Sequence, residues 1–255
     1  MRDHLMKNYK KITSTRFLVI ISIILCSCGA SHYLRDDVIF KDADFSYNYL
    51  KNNGMIIGGI SSQLINLTTE ERIKYSAILS NVLLEKLKDA HNIHIINTLQ
   101  FIDKSGKEKY FEIMDTFDME KTIKMETIHF LRDTLPEAKY ILFAYIENEN
   151  IIDNSFEEYI VDKEGKEKLE TEYKKTYLLT IEFQMYDILQ EKLVLNNIIY
   201  NEAKQTESRT TRTGCFESCI DNLIQDILFG EAAEIDREEV LAKISEKFAK
   251  DLVKI

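Results

Sequence analysis

At 255 residues and 45% hydrophobic side chains, the chain can bury a sizeable core, in one large domain or two small ones, and its scarce glycine (8) and proline (1) exclude a fibrous or linker-rich protein. The net charge is −10; set aside residues 1–27, with five bases and one acid, and 28 bases face 42 acids, a net −14. So acidic a body argues against nucleic acid as a partner, since that binding rests on neutralising phosphates, and against docking on an anionic lipid surface by charge.

In chain order, the first sixteen residues are polar and basic (Arg2, Lys7, Lys10, Lys11, Arg16) and lead into an apolar run, Phe17 to Leu25, with Ser22 inside it. A spanning helix needs roughly 20 apolar residues, so this run has the length of a signal-peptide core, and the basic leader agrees. Small residues follow: Ser27, Gly29, Ala30 and Ser31. Leu25-Cys26-Ser27-Cys28 resembles a bacterial lipobox. That resemblance implies cleavage between Ser27 and Cys28 and acylation of Cys28, which becomes the membrane anchor. Cys26 departs from the usual small residue at its place, and as the modified residue it would put bulky Leu25 at the cut. Two or three acyl chains on one residue anchor stably where one chain binds only marginally. The expected organisation is a signal peptide over 1–27, a lipidated amino terminus and short tether over 28–53, and a periplasmic domain over 54–255. Residues 29–53 are not a Gly/Ser/Pro tether, because Val38, Ile39, Phe40, Phe45 and Leu50 among them have apolar surface to bury.

Met55–Ser62 reads as a buried strand, with Gly58 and Gly59 marking a bulge or a close backbone approach. Thr68 and Glu71 match a capping box for a helix to about Asp89, with Ile73, Ala77, Leu84 and Leu87 near one face. Ile93–Thr98 reads as a second strand. Helices are expected over Lys107–Thr116 and Met119–Leu135, the latter stopped by Pro136. Tyr140–Glu147 is a strong strand, and residues 149–173 are polar and charge-mixed. Lys175–Asp187 alternates, with Tyr177, Leu179, Ile181, Phe183 and Met185 on one face and Thr176, Thr180, Glu182 and Gln184 on the other. It forms a hairpin with Leu193–Ala203. Helices are expected over Gly214–Phe229 and after an Asp236 cap, where Val240, Ile244, Phe248 and Leu252 make an apolar stripe. This order predicts an α/β (α+β) fold: a single mixed sheet of about five strands with a crossover helix, an antiparallel carboxy-terminal meander and flanking helices.

A lipobox followed by this order resembles the superfamily of LpoB-type activators of penicillin-binding proteins, the curli secretion lipoprotein CsgG and the amino-terminal domain of TolB. The resemblance is carried by MIIGGISSQLINLTTEE, YILFAYIENENI and TYLLTIEFQMYDILQEKLVLNNIIYNEA, where a strand ends in Tyr-Asp before a tight turn and the next strand holds a late aromatic, Tyr200. It implies a non-enzymatic binding or assembly module of the bacterial envelope, with an envelope protein as partner. Gly29, rather than aspartate, after the acylated cysteine leans to an outer-membrane lipoprotein facing the periplasm. The departures are a short, aromatic tether in place of a long Pro-rich one, and charged insertions (102–130 and 149–173) unlike the apolar hairpins of a lipid-facing barrel. A subunit of an export assembly, including a homo-oligomer, and an enzyme of unrecognised class stand as the alternatives.

With Cys28 acylated, Cys215 and Cys219 are the remaining thiols. They read either as a disulfide, with Cys215 just before the helix, or as two reduced buried thiols, because i and i+4 on a regular helix lack disulfide geometry. His91 and His94 are three apart without the further ligands a metal site wants, and His32 and His129 stand alone in the sequence. Glu157-Glu158 and the acids of 167–172 read as a solvated hairpin. No nucleophile elbow or phosphate loop is present, so no catalytic residue, metal or cofactor is expected.

Overall fold

The computed structural model describes residues 30–62, 64, 67–89, 92–161, 163, 165, 167–212 and 235–255. The helix expected over Gly214–Phe229 lies outside them. The α+β class holds, with one mixed sheet of seven strands among the described residues rather than about five. The elements are β1 (Ser31–Lys41), α1 (Tyr47–Asn53), β2 (Met55–Ser61), α2 (Thr69–Leu83, continued by a π-helical turn, Leu84–Asp89), β3 (Ile95–Ile96), α3 (Thr98–Ser105), α4 (Lys107–Glu120), α5 (Met125–Thr134), β4 (Tyr140–Asp153), β5 (Phe156–Val161), β6 (Glu167–Asp187), β7 (Lys192–Arg212) and α6 (Arg237–Leu252). The strand order is β1-β7-β6-β4-β2-β3, with β5 on β6.

The chain divides into two units. The larger holds residues 32–152, 176–203 and 235–255. Within it β2 pairs in parallel with β3 and β4, and α2 is the crossover between β2 and β3. The two glycines of β2 are a bulge: Ile57 faces Leu142, but Gly59 faces Phe143, leaving Gly58 as the extra residue. Both positions need glycine. A Cβ added at Gly58 would lie 2.5 Å from the Phe143 ring; Gly59 has φ +143 and its Cβ would meet the Tyr110 hydroxyl at 2.7 Å.

Helices cover both faces of the sheet. Tyr186 belongs to a buried cluster with Ile56, Phe101, Met114, Phe117 and Leu131 under α3, α4 and α5. Phe183, three residues earlier and so on the other face of β6, stacks on Phe248 of α6 at 4.1 Å. The expected stripe of α6 is buried at all four positions, and Asp236 caps the helix by accepting from Glu238 N–H at 2.9 Å. Helix α6 packs on α2.

Three expectations are corrected. The capping box of α2 is present, with Glu71 N–H donating to Thr68 Oγ1 at 3.2 Å and Thr68 N–H to Glu71 Oε2 at 2.9 Å. Its buried face, however, is Arg72, Tyr75, Ser76, Leu79, Ser80 and Leu83; of the expected line, Leu87 is buried but Ile73, Ala77 and Leu84 are only half-buried. The serines are buried because they are bonded: Ile60 N–H donates to Ser76 Oγ at 2.9 Å, and Ser80 Oγ meets Thr98 Oγ1 at 2.9 Å. The second strand shrinks to Ile95–Ile96, because Asn97 caps α3 through a capping box with Gln100. The break between the two expected helices falls later: the first runs on to Glu120, Lys121 ends it with a left-handed φ of +51, and the second starts at Met125 rather than Met119.

Residues 31–53, expected as a short tether with apolar groups to bury, contain β1 and α1, and Phe45 and Leu50 are buried. β1 runs antiparallel to β7: His32 Nδ1 lies 3.2 Å from Asn201 Nδ2, and Asp42 N–H donates to Val194 O at 2.9 Å. The Tyr-Asp that ends β6 is a turn device. Asp187 Oδ1 accepts from Leu189 and Gln190 N–H, both at 2.9 Å, while Oδ2 meets Lys139 Nζ at 3.1 Å.

Among the described residues, the smaller unit holds 30–31, 153–175 and 204–212. Its acidic runs form the expected hairpin, β5 antiparallel to the start of β6, with Tyr159 opposite Leu169 and Glu158 opposite Glu170. Lys174 Nζ sits 5.3 Å over the Phe156 ring.

Candidate functional site

The residues expected to carry function, Ser27, Cys28, Cys215 and Cys219, lie outside the described residues, as does His91. His94 is exposed ahead of β3 rather than half-buried in a strand. The histidines that stand alone in sequence each face a glutamate in space: His32 with Glu239 at 3.3 Å and His129 with Glu191 at 3.0 Å. Among the described residues no cluster of three or more His, Cys, Asp or Glu side chains is placed to hold a metal ion, and no helix is long and apolar enough to cross a membrane.

The densest buried chemistry is a carboxylate pair that the sequence did not advertise. Glu147 extends β4 past its apolar run, and Glu182 lies mid-β6 on the face taken as polar. That face is covered, leaving Glu182 9% exposed. The Glu147 and Glu182 carboxyls hydrogen-bond each other. Lys121 Nζ, aimed by the left-handed break after α4, donates to both oxygens of Glu147 at 2.8 and 2.9 Å and sits 4.3 Å over the Tyr145 ring. Glu182 Oε1 accepts from Asn196 Nδ2 at 2.6 Å and Gln184 Nε2 at 2.9 Å, and Tyr186 donates to Gln184 Oε1 at 2.6 Å.

The two acids shift in opposite directions. Burial, then the neighbouring Glu182, pushes Glu147 above the usual carboxylate range. Burial alone would raise Glu182 too, but hydrogen bonds from Glu147, Gln184 and Asn196 outweigh it and hold Glu182 low. The signs fix a pH test. A group whose folded value is raised contributes stability below the ordinary value of 4.5, lost as pH rises through the folded value. Glu182, lowered, contributes above 4.5 and loses it as pH falls. Urea midpoints measured across pH should therefore show Glu147→Gln gaining on wild type as pH rises from 4.5. A wild-type-to-variant gap that stays constant with pH would refute the upward shift of Glu147.

A second buried pair ties α6 to the sheet and α2. Arg237 Nε donates to Glu149 Oε1 at 2.6 Å, and its Nη1 donates to the Tyr75 hydroxyl at 3.0 Å. Tyr177 also donates to Glu149, and burial followed by that carboxylate pushes its phenol strongly up. At the start of β4, a cleft of about 150 Å³ is lined by Asp42, Tyr49, Lys139, Tyr140 and Asp187. Small-molecule sites occupy roughly 300–1,000 Å³, so this one suits a few waters rather than a substrate. Three of its charged residues are already paired, Asp42 with Lys192 at 2.7 Å and Lys139 with Asp187.

No protein-family model matches the chain, and no curated protein matches it. Among solved structures it is similar to the PelC dodecamer from Paraburkholderia phytofirmans, at 10% identity and a TM-score of 0.36, covering 87% of this chain and 97% of that one. It is similar to the LpoB C-terminal domain from Salmonella enterica at 7% identity and 0.31, covering 67% of this chain and 87% of that one. The lipoprotein GNA1162 from Neisseria meningitidis is similar at 6% identity and 0.29, over 69% of this chain and 98% of that one.

Proposed function

We propose that the chain is a lipid-anchored, non-enzymatic binding or assembly module of the bacterial cell envelope, held at the outer membrane through Cys28 with its domain in the periplasm. The observation that carries this reading is Leu25-Cys26-Ser27-Cys28, closing a nine-residue apolar run behind a basic leader. Two features support binding over catalysis. Glu147 and Glu149 are paired with Lys121 and Arg237, and Glu182 is hydrogen-bonded by Asn196, all on this chain, and the lined cleft is too small for a substrate. The partner is an envelope protein, met on the surface of the domain.

Mass spectrometry of the mature amino terminus tests the anchor. Wild type should begin at an acylated Cys28, and Cys28→Ala should lose the acyl mass and keep residues 1–27. Wild type without acyl mass sinks the reading. Crosslinking in intact membranes then tests the module: recovery of an envelope protein with wild type is the expected result, and recovery of none under several conditions counts against it.

A further inference from the structure

The sheet ends in β1, an eleven-residue strand whose one neighbour among the described residues is β7. An edge this long is a template for pairing unless charge or cover blunts it. Here it carries exposed apolar side chains, Tyr33 at 67%, Val38 at 51% and Ile39 at 60%. Its even and odd positions face opposite ways. His32 and Asp36 reach α6, where they meet Glu239 and Lys247. Tyr33, Arg35, Asp37 and Ile39 share the other face, with the Arg35 guanidinium 5.8 Å over the Tyr200 ring.

The strand is self-complementary on both faces. Reversed about Asp36, the segment Tyr33-Leu34-Arg35-Asp36-Asp37-Val38-Ile39 sets Arg35 opposite Asp37, Leu34 opposite Val38, and Tyr33 opposite Ile39. A two-fold axis makes each of these pairs twice, since in an isologous contact residue i meets j and j meets i. Aromatic with β-branched and cation with carboxylate are the cross-strand pairs that stabilise a ladder. The one like-charge pair falls on the axis, Asp36 with its own copy, and each Asp36 is already neutralised by Lys247. The Arg35–Asp37 ion pair within one strand, at 3.0 Å, has both partners exposed and free to exchange.

We propose that two copies of the chain join through β1, antiparallel about an axis at Asp36, so that the sheet continues from one copy into the other. The occupant of the edge is a second copy rather than a foreign strand because the charges and apolar groups match this strand's own reversed order. The site is separate from the anchor at Cys28, so either reading can fail without the other.

Charge exchange tests it, on the full chain in detergent, by sedimentation equilibrium over a dilution series with circular dichroism to verify folding. Wild type should dimerise. Arg35→Asp sets acid against acid and Asp37→Arg sets base against base, so each alone should weaken the dimer at least about tenfold. Mixed together, the two variants should form a heterodimer. One copy then carries acids at both positions and the other carries bases at both, so both pairs between positions 35 and 37 join opposite charges. The double variant Arg35→Asp/Asp37→Arg should dimerise as wild type does. A wild type that stays monomeric overturns the proposal and leaves the edge to another partner. Single variants that dimerise normally, or folded variants that fail to combine when mixed, overturn it as well.

Discussion

Phe143→Ala is expected to lower stability by about 3–5 kcal/mol, the usual range for truncating a fully buried phenylalanine. Its ring is 0% exposed and stacks on Phe117 at 4.7 Å. It also fills the space above the β2 bulge, where a Cβ on Gly58 would come within 2.5 Å of it. Gly58→Ala alone should therefore cost about 2 kcal/mol as overpacking, since Gly58 is outside the positive-φ region and its backbone does not itself forbid a side chain. With Phe143 already truncated, the same methyl group enters the vacated space, and Gly58→Ala should become neutral or stabilising, by up to about 1 kcal/mol from the stiffer unfolded chain. The cycle is read from urea unfolding of the four proteins. Costs that simply add would show that the ring does not set the need for glycine at the bulge.

The second large effect is expected at Asp187. It is 2% exposed, accepts two N–H groups of the β6–β7 turn, and pairs with Lys139. Asp187→Ala removes all three interactions at once. Breaking a buried ion pair from one side costs about 3–5 kcal/mol, but Lys139 lines the open cleft, so its ammonium can reach water while its stem stays covered. The expectation is about 2–3 kcal/mol. Asp187→Asn separates the contributions, because the amide oxygen still accepts the turn N–H groups while the charge is lost. It should recover about half of the loss. Equal losses for Asn and Ala would mean that the ion pair alone matters and the turn hydrogen bonds do not.

The two predictions mark where the sequence was readable. Gly58-Gly59 within an apolar run signalled a bulge or a close backbone approach; that it is a bulge at Gly58, and that Phe143 presses on it, required the register with β4. Tyr-Asp before a turn was visible as a pattern, but Lys139, the partner of Asp187, is 48 residues away and reached only by folding. The buried acids were the least legible. Glu182 sits at an alternating position that would face solvent in a sheet covered on one side. Glu147 follows an apolar run as an ordinary strand end would.

Local physics decided the rest. The caps at Thr68 and Asp236, the stop at Pro136, the alternation of Lys175–Asp187 and the stripe of α6 are contests between a side chain and its near neighbours. Such contests are written in consecutive residues, so these elements and the α+β class followed from the sequence by itself. The tertiary structure alone decided which faces go dry, because burial depends on what arrives from elsewhere in the chain. It turned the serine face of α2 inward by supplying Ile60 and Thr98 as hydrogen-bond partners. It brought Glu147 and Glu182 together under a lysine held by a left-handed backbone break. At β1 it left an edge unpaired among the described residues, and so gave a short self-complementary stretch a surface on which to act.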